Sequence, residues 1–258
     1  MKNLKLHAIV LALIVVSEMI GVIPISIGIG RIVLLPMLYA LIFGMLLTPK
    51  FLNVAKEKEM LDASSLIGVT LMLLMARYGT LVGPTLPKIL AASPALILQE
   101  FGNLGTVLLG VPLAVFLGLK RETIGAAHSV AREPNVALIG EKFGLDGAEG
   151  RGVMGVYISG TVFGTIFFGL MASVCAAAGI FHPYALAMAA GVGSASMMVA
   201  GIASIVAVYP DQAQVIQGFA GAANLMTTIL GIYFALFVSL PVMVWLYEKI
   251  TGDRRETK

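Results

Sequence analysis

The stretch Asn103–Leu119 (NLGTVLLGVPLAVFLGL) returns 121 residues later as Asn224–Leu240 (NLMTTILGIYFALFVSL), with eight of seventeen positions identical. Asn103/Asn224, Thr106/Thr227 and Gly110/Gly231 are among the identities. A second echo pairs Gly30–Gly44 with Gly150–Gly164 at five of fifteen positions, and Glu18-x-x-Gly21 faces Glu141-x-x-Gly144. The echoes run in the same order at nearly one offset, as one unit used twice would give. Residues 1–120 then form a first transmembrane repeat and residues 121–258 a second. In an apolar chain, two related halves meeting at a central site is how many secondary transporters are built.

The chain is apolar enough for that reading. Hydrophobic residues make up 59% and charged residues 12%, and the mean hydropathy is +0.96. A soluble domain of this length could not bury that much apolar surface. Glycine is frequent and proline stands inside apolar runs, which suits membrane helices. The net charge of +3 is scattered over loops, which argues against nucleic-acid binding. Cys175 is the only cysteine, so neither an internal disulfide nor a cysteine metal cluster can form. The N-terminal MKNLKLHAIVLALIVVSEMIG has the head of a signal peptide but no small-x-small cleavage site; it reads as a first spanning helix.

About eight apolar elements emerge at roughly 20 residues per span: near 7–25, 31–49, 64–82 continuing to 100, 102–119, 123–143, 152–179, 183–209 and 217–247. Placing Lys2, Lys5, Lys50, Lys56, Lys58, Lys120, Arg121, Lys249, Arg254 and Arg255 on the cytoplasmic side gives four crossings per half and parallel repeats. An extra short crossing at 83–100 and at 200–217 gives five per half and inverted repeats. The expected fold is therefore an all-α membrane protein of two tandem repeats with broken helices and 8–10 transmembrane segments, its parity open between 5+5 inverted and 4+4 parallel.

Two interruptions draw attention. Around Arg77–Pro87 (RYGTLVGPTLP), two glycines and two prolines punctuate an apolar run. The counterpart Gly191–Met197 (GVGSASM) carries glycines and serines. Breaks free backbone polar groups that hydrocarbon cannot satisfy, so they face protein or a wet cavity, and paired breaks point to a transport site. Close helix packing through small residues is the competing reading, with Ser194 and Ser196 bonded to their own helix.

Polar residues in apolar surroundings supply the candidate site. Asn103 and Asn224, with Thr106 and Thr227 one turn on, would bind substrate or ion together with Ser194 and Ser196; helix capping is the alternative for the two asparagines. Arg77 could meet a substrate carboxylate with its planar fork, or snorkel, or pair with Glu100. Glu18 is costly if buried and ordinary if interfacial. Ala127–Lys142 (AHSVAREPNVALIGEK) would line the pathway as a polar helix kinked at Pro134, with His128 and Glu133 as titratable members; a solvated amphipathic connector is the alternative. Glu18, Glu133 and His128 are the candidates for coupling to H+ or Na+. No Walker A sequence, GxSxG elbow, histidine cluster or nucleophile–base spacing occurs, so ATP hydrolysis and intramembrane catalysis are disfavoured.

The break GVGSASMM (Gly191–Met198), the long apolar helix after it and the polar entry AREPNVALIGEKFG (Ala131–Gly144) resemble the bile-acid/arginine-transporter superfamily, near lysine exporters and holin-antiholin-like B subunits. The likeness covers mainly residues 120–247. It implies crossed, unwound helices, a bacterial inner-membrane location and secondary transport of small organic solutes. Met197 and Met198 stand where the exporters carry an acidic residue, which argues against lysine. The expected function is H+- or Na+-coupled transport of a small, carboxylate-bearing solute without other cofactors, with a holin-like pore or regulatory subunit as the alternative. The expected partners are the solute and the lipid bilayer, with no nucleic acid and a homodimer left open.

Overall fold

In a computed structural model, residues 3–27, 30–34, 36–128 and 133–253 are described. The chain is helical there except for one hairpin. Helix α1 (Leu4–Ile20) stops at Gly21, whose φ of 74° belongs to the left-handed region that glycine adopts without strain. Strands β1 (Ile23–Ile27) and β2 (Gly30–Leu34) then pair antiparallel, Ile25 opposite Ile32. The sequence reading carried helix through both segments. The alternation of β-branched residues in IPISI, with glycines before GRIVL, is the strand signal it passed over.

Helix α2 (Pro36–Leu46) packs on α1, and the 35-residue α3 (Glu57–Ala91) follows. The break expected at Arg77–Pro87 does not form, because α3 runs unbroken through Pro84 and Pro87. Each proline removes one donor, but packing along α11 (Ala213–Phe234) holds the helix together. The contact is closest where Thr85 meets Gly218, since a methyl at 218 would overlap the threonine hydroxyl. Helix α4 (Ser93–Phe116) begins at a Ser-Pro start and not near residue 102.

Between residues 122 and 208 the helices are short. Helices α5 (Glu122–His128) and α6 (Glu133–Phe143) flank α7 (Ala148–Ser159), which passes through a π-helical turn, Gly160–Gly164, into α8 (Thr165–Ala178). Helices α9 (Pro183–Val192) and α10 (Ala195–Val208) are separated by two extended residues. Helix α11 continues through a π-helical turn, Ala235–Ser239, into α12 (Leu240–Thr251).

Two cores organise the packing. One joins α3, α4, α9, α10 and α11 around Ile89, Leu96, Ile205, Ile216 and Phe219. The other joins α4, α5, α6, α7 and α12 around Val107, Ile124, Ile139, Val153 and Tyr247. In the second core α5 and α7 cross with glycine at the contact. A methyl at Gly125 would overlap the Glu149 carbonyl and lie 2.6 Å from the Val153 nitrogen; one at Gly152 would lie 3.0 Å from the Ala126 nitrogen. Two ion pairs flank the crossing. The buried Arg121 Nε meets Glu149 Oε1 at 2.6 Å, and the more exposed Arg151 Nη2 meets Glu122 Oε1 at 2.8 Å.

Among the described residues two helices are long and apolar enough to cross a membrane, Ser93–Phe116 and the continuous run Pro210–Thr251 of 42 residues. Their outer faces are apolar and uncovered: Leu109 is 76% exposed, Phe116 85% and Phe237 70%.

Candidate binding site at an interrupted helix

The interruption expected at Gly191–Met197 is present. Gly193 and Ser194 both take extended backbone angles, with ψ of 174° and 164°, and α10 starts with the Met198 N–H donating to the Ser194 carbonyl at 2.8 Å. Small residues let the segment sit tight against α11. A methyl at Gly191 would overlap the Ala220 carbonyl and lie 2.6 Å from the Ala223 β-carbon.

Such a break interrupts the regular helical hydrogen-bond ladder near the end of α9. Asn224 bonds to the segment: its Nδ2 donates to the Gly191 carbonyl at 2.9 Å and to the Gly193 carbonyl at 3.2 Å. Ser194 does not cap α10 with its side chain. Its hydroxyl lies 3.2 Å from that of Ser196, and Thr165 Oγ1 stands 3.0 Å from Ser196 Oγ. The serines are thus tied to each other and to α8 rather than back to their own helix.

One turn along α11 from Asn224, a cavity of about 40 Å3 opens between α4, α5, α6, α9 and α11. Asn103 and Thr106 of α4, His128 of α5, Asn135 of α6, and Thr227 and Thr228 of α11 line it. Val192, the last residue of α9, is also part of the wall, so cavity and interruption adjoin. His128 is 5% exposed, and its Nε2 is buried without a hydrogen-bond partner.

Behind the wall lies Glu100, 4% exposed. Its Oε1 accepts from the Thr227 hydroxyl at 2.6 Å and its Oε2 from Asn103 Nδ2 at 3.0 Å. Gln99 Nε2 donates to the Ala223 carbonyl at 3.2 Å and reaches Thr227 Oγ1 at 3.4 Å. Gly231 completes the wall, because a methyl there would lie 3.4 Å from Glu100 Oε2.

Seven of the ten candidates therefore gather around one locus: Asn103, Thr106, His128 and Thr227 on the cavity, and Asn224, Ser194 and Ser196 at the adjoining break. Neither asparagine caps a helix, since both lie inside long helices. Arg77 is exposed on α3 and does not line the cavity, and it does not pair with Glu100. Glu18 is exposed near the end of α1, where Ser17 is the buried residue. Glu133 opens α6, but its side chain, like residues 129–132 of the same stretch, lies outside the described residues. The sequence reading missed Glu100, Gln99 and Thr165 as members of the locus; Asn135 belongs to the polar stretch it placed along the pathway.

The chain matches, over residues 15–249, the family described as "Protein of unknown function (DUF3100)". That span covers most of the sequence, and the chain belongs to this family. Neither the curated proteins nor the solved structures contain a match to it.

Proposed function

We propose that this DUF3100 chain is a multi-pass membrane protein of bacterial inner-membrane type that carries a small polar solute down a gradient-coupled path. The carrying observation is the α9–α10 interruption, with its Gly191 and Gly193 carbonyls held by Asn224 beside a polar cavity. Irregular backbone at membrane depth is tolerated only where protein or a water-filled cavity satisfies it. The uncovered apolar faces of α4 and α12 are consistent with lipid contact. The likeness of residues 120–247 to the bile-acid/arginine-transporter superfamily, and the two-repeat organisation, belong to the same proposal.

About 40 Å3 is room for two or three waters and not for a metabolite. Solute entry thus requires the helices around the cavity to part, as alternating access demands. Asn103, Thr106, Asn224, Thr227, Ser194 and Ser196 are the solute- and ion-facing groups in this reading. Arg77, the expected anion contact, does not line the cavity, so the solute class widens from small carboxylates to small polar solutes.

The test is flux into proteoliposomes, with a panel of small polar metabolites under imposed Na+ or H+ gradients. Saturable, gradient-dependent uptake that falls at least tenfold in Asn224→Ala is expected. No uptake across the whole panel sinks the proposal, and gradient-independent leakage of every solute replaces it with the holin-like pore.

A further inference from the structure

Glu100 is a buried carboxylate with no cationic partner among the described residues. Its partners are the Thr227 hydroxyl and the Asn103 amide, both neutral. The ion pairs formed among the described residues are Lys5–Glu59, Arg121–Glu149 and Arg151–Glu122, none of which involves it. Gln99 Nε2 lies against Thr227 Oγ1, so the threonine hydrogen is directed to Glu100, and both carboxylate oxygens act as acceptors. Buried charges are paired or coordinate metal ions, because an unpaired one loses several kcal/mol of hydration.

The neighbouring void has the chemistry of the missing partner. Asn103, Thr106, Asn135, Thr227 and Thr228 line it, and the amide and hydroxyl oxygens these side chains carry are hard ligands suited to hard cations. Its volume of about 40 Å3 accommodates one small ion with a water or two. A separate observation concerns the same wall: His128 lines this void, and its buried Nε2 has no hydrogen-bond partner among the described residues.

We propose that the cavity between Asn103, Thr106, His128 and Thr227 binds one largely dehydrated alkali cation, with Glu100 supplying the counter-charge from behind the wall. A monovalent ion fits better than a divalent one, because one buried negative charge cancels one positive charge and leaves no net charge in a low-dielectric site. The ion site stands on its own geometry. Its role as the coupling ion rests on the transport reading above.

The experiment is thermal unfolding of the purified protein in detergent, in sodium, potassium, lithium and choline chlorides at equal ionic strength. An ion that binds the folded state at 100 times its Kd should raise Tm by about 5–10 °C, in a saturable manner. Glu100→Gln, which keeps size and one acceptor oxygen, should abolish the response relative to its own melting in choline. Thr106→Val, which removes one oxygen at nearly constant volume, should move the titration midpoint about tenfold higher in salt. Equal melting in all four salts overturns the site, and so does an ion response that survives in Glu100→Gln. If Glu100→Gln does not purify, an unshifted midpoint in Thr106→Val overturns it. An ion response without ion-driven flux keeps the site and removes the transport reading; ion-driven flux without an ion response keeps transport and removes the site.

Discussion

Replacing Gly125 by alanine tests whether the α5–α7 crossing holds His128 against the cavity. The new methyl would overlap the Glu149 carbonyl oxygen and stand 2.6 Å from the Val153 nitrogen, both backbone atoms that cannot rotate away. Ordinary contact needs about 3.5 Å, so clearing the Glu149 carbonyl requires the helices to part by more than about 1 Å. Overpacking of this kind costs about 1–3 kcal/mol. The same displacement strains the 2.6 Å Arg121–Glu149 pair, and a broken buried pair would add about 3 kcal/mol more. Alanine's better helix propensity returns at most about 1 kcal/mol. Gly155, in the same helix α7 with nothing within 4 Å of an added methyl, is the internal control; there the propensity term acts alone and Gly155→Ala should be neutral or slightly stabilising. The propensity term is common to both variants and cancels, so they should differ by about 1–3 kcal/mol from overpacking and about 4–6 kcal/mol if the ion pair is lost as well, which at about 2–4 °C per kcal/mol for a chain of this size separates their melting temperatures by about 2–24 °C. Circular dichroism in detergent reads this directly. Melting of Gly125→Ala no lower than that of Gly155→Ala would refute the crossing geometry.

Asn224→Ala removes a donor from the carbonyls of both Gly191 and Gly193. At about 0.6 kcal/mol per bond in lipid-like surroundings, with a maximum of about 1.7, the loss of two bonds should be about 1–3 kcal/mol. It should exceed that of Asn103→Ala in the same melting assay. Gly191→Ala should destabilise far more than Gly164→Ala, because the first methyl meets the Ala220 backbone, whereas the second meets only the movable Met197 terminus; relative expression and Tm decide. The Lys56 backbone N–H, and after it the Lys5 ammonium, holds the Glu59 carboxyl below its usual range. A depressed folded pKa stabilises above the unfolded value of 4.5 and is lost as pH falls through the folded one. Amide exchange in the first turn of α3 should therefore quicken below about pH 4.5, and Glu59→Gln should remove the dependence.

Legibility in the sequence followed how local each cause is. The interruption at Gly193–Ser194 was readable because glycine and serine act on their own backbone, and no neighbour overrules them. The break at Arg77–Pro87 was misread because proline's cost is local, while the support for α3 comes from α11, where Thr85 meets Gly218 at a separation of 133 residues that no window along the chain reveals. The hairpin was hidden in the long apolar run around it, which masks the period-two alternation. Glu100 was missed for a different reason. With a helix start placed near residue 102 it read as the end of the 83–100 element and as a partner for Arg77, whereas Ser93-Pro94 starts α4 and puts Glu100 two turns inside, one turn before Asn103. The Ser-Pro signal was on the page, and reading it would have exposed an acidic residue within an apolar helix.

The asparagines that the sequence echo paired do different work, and the difference has a structural cause. Asn224 faces a helix that is interrupted, so its amide donates to the carbonyls of Gly191 and Gly193. Asn103 belongs to the half where α3 is unbroken, and no such carbonyls await it. Its amide donates to Glu100 instead, and 121 residues on from Glu100 stands Gly221, which offers no acceptor side chain. One member of the pair therefore steadies irregular backbone, and the other steadies a negative charge. Thr227 joins them, since it lies on the same helix as Asn224 and donates to the same carboxylate as Asn103. Motion at the break that shifts α11 must disturb the donor set of Glu100, and a change of charge at Glu100 must be felt through Thr227 on the helix that holds the break. A coupling of this kind requires the effects of Asn224→Ala and Glu100→Gln to be non-additive in a double-mutant cycle. Residues sharing a network typically couple by about 0.5–3 kcal/mol, and strict additivity would leave the two amides as unconnected local repairs.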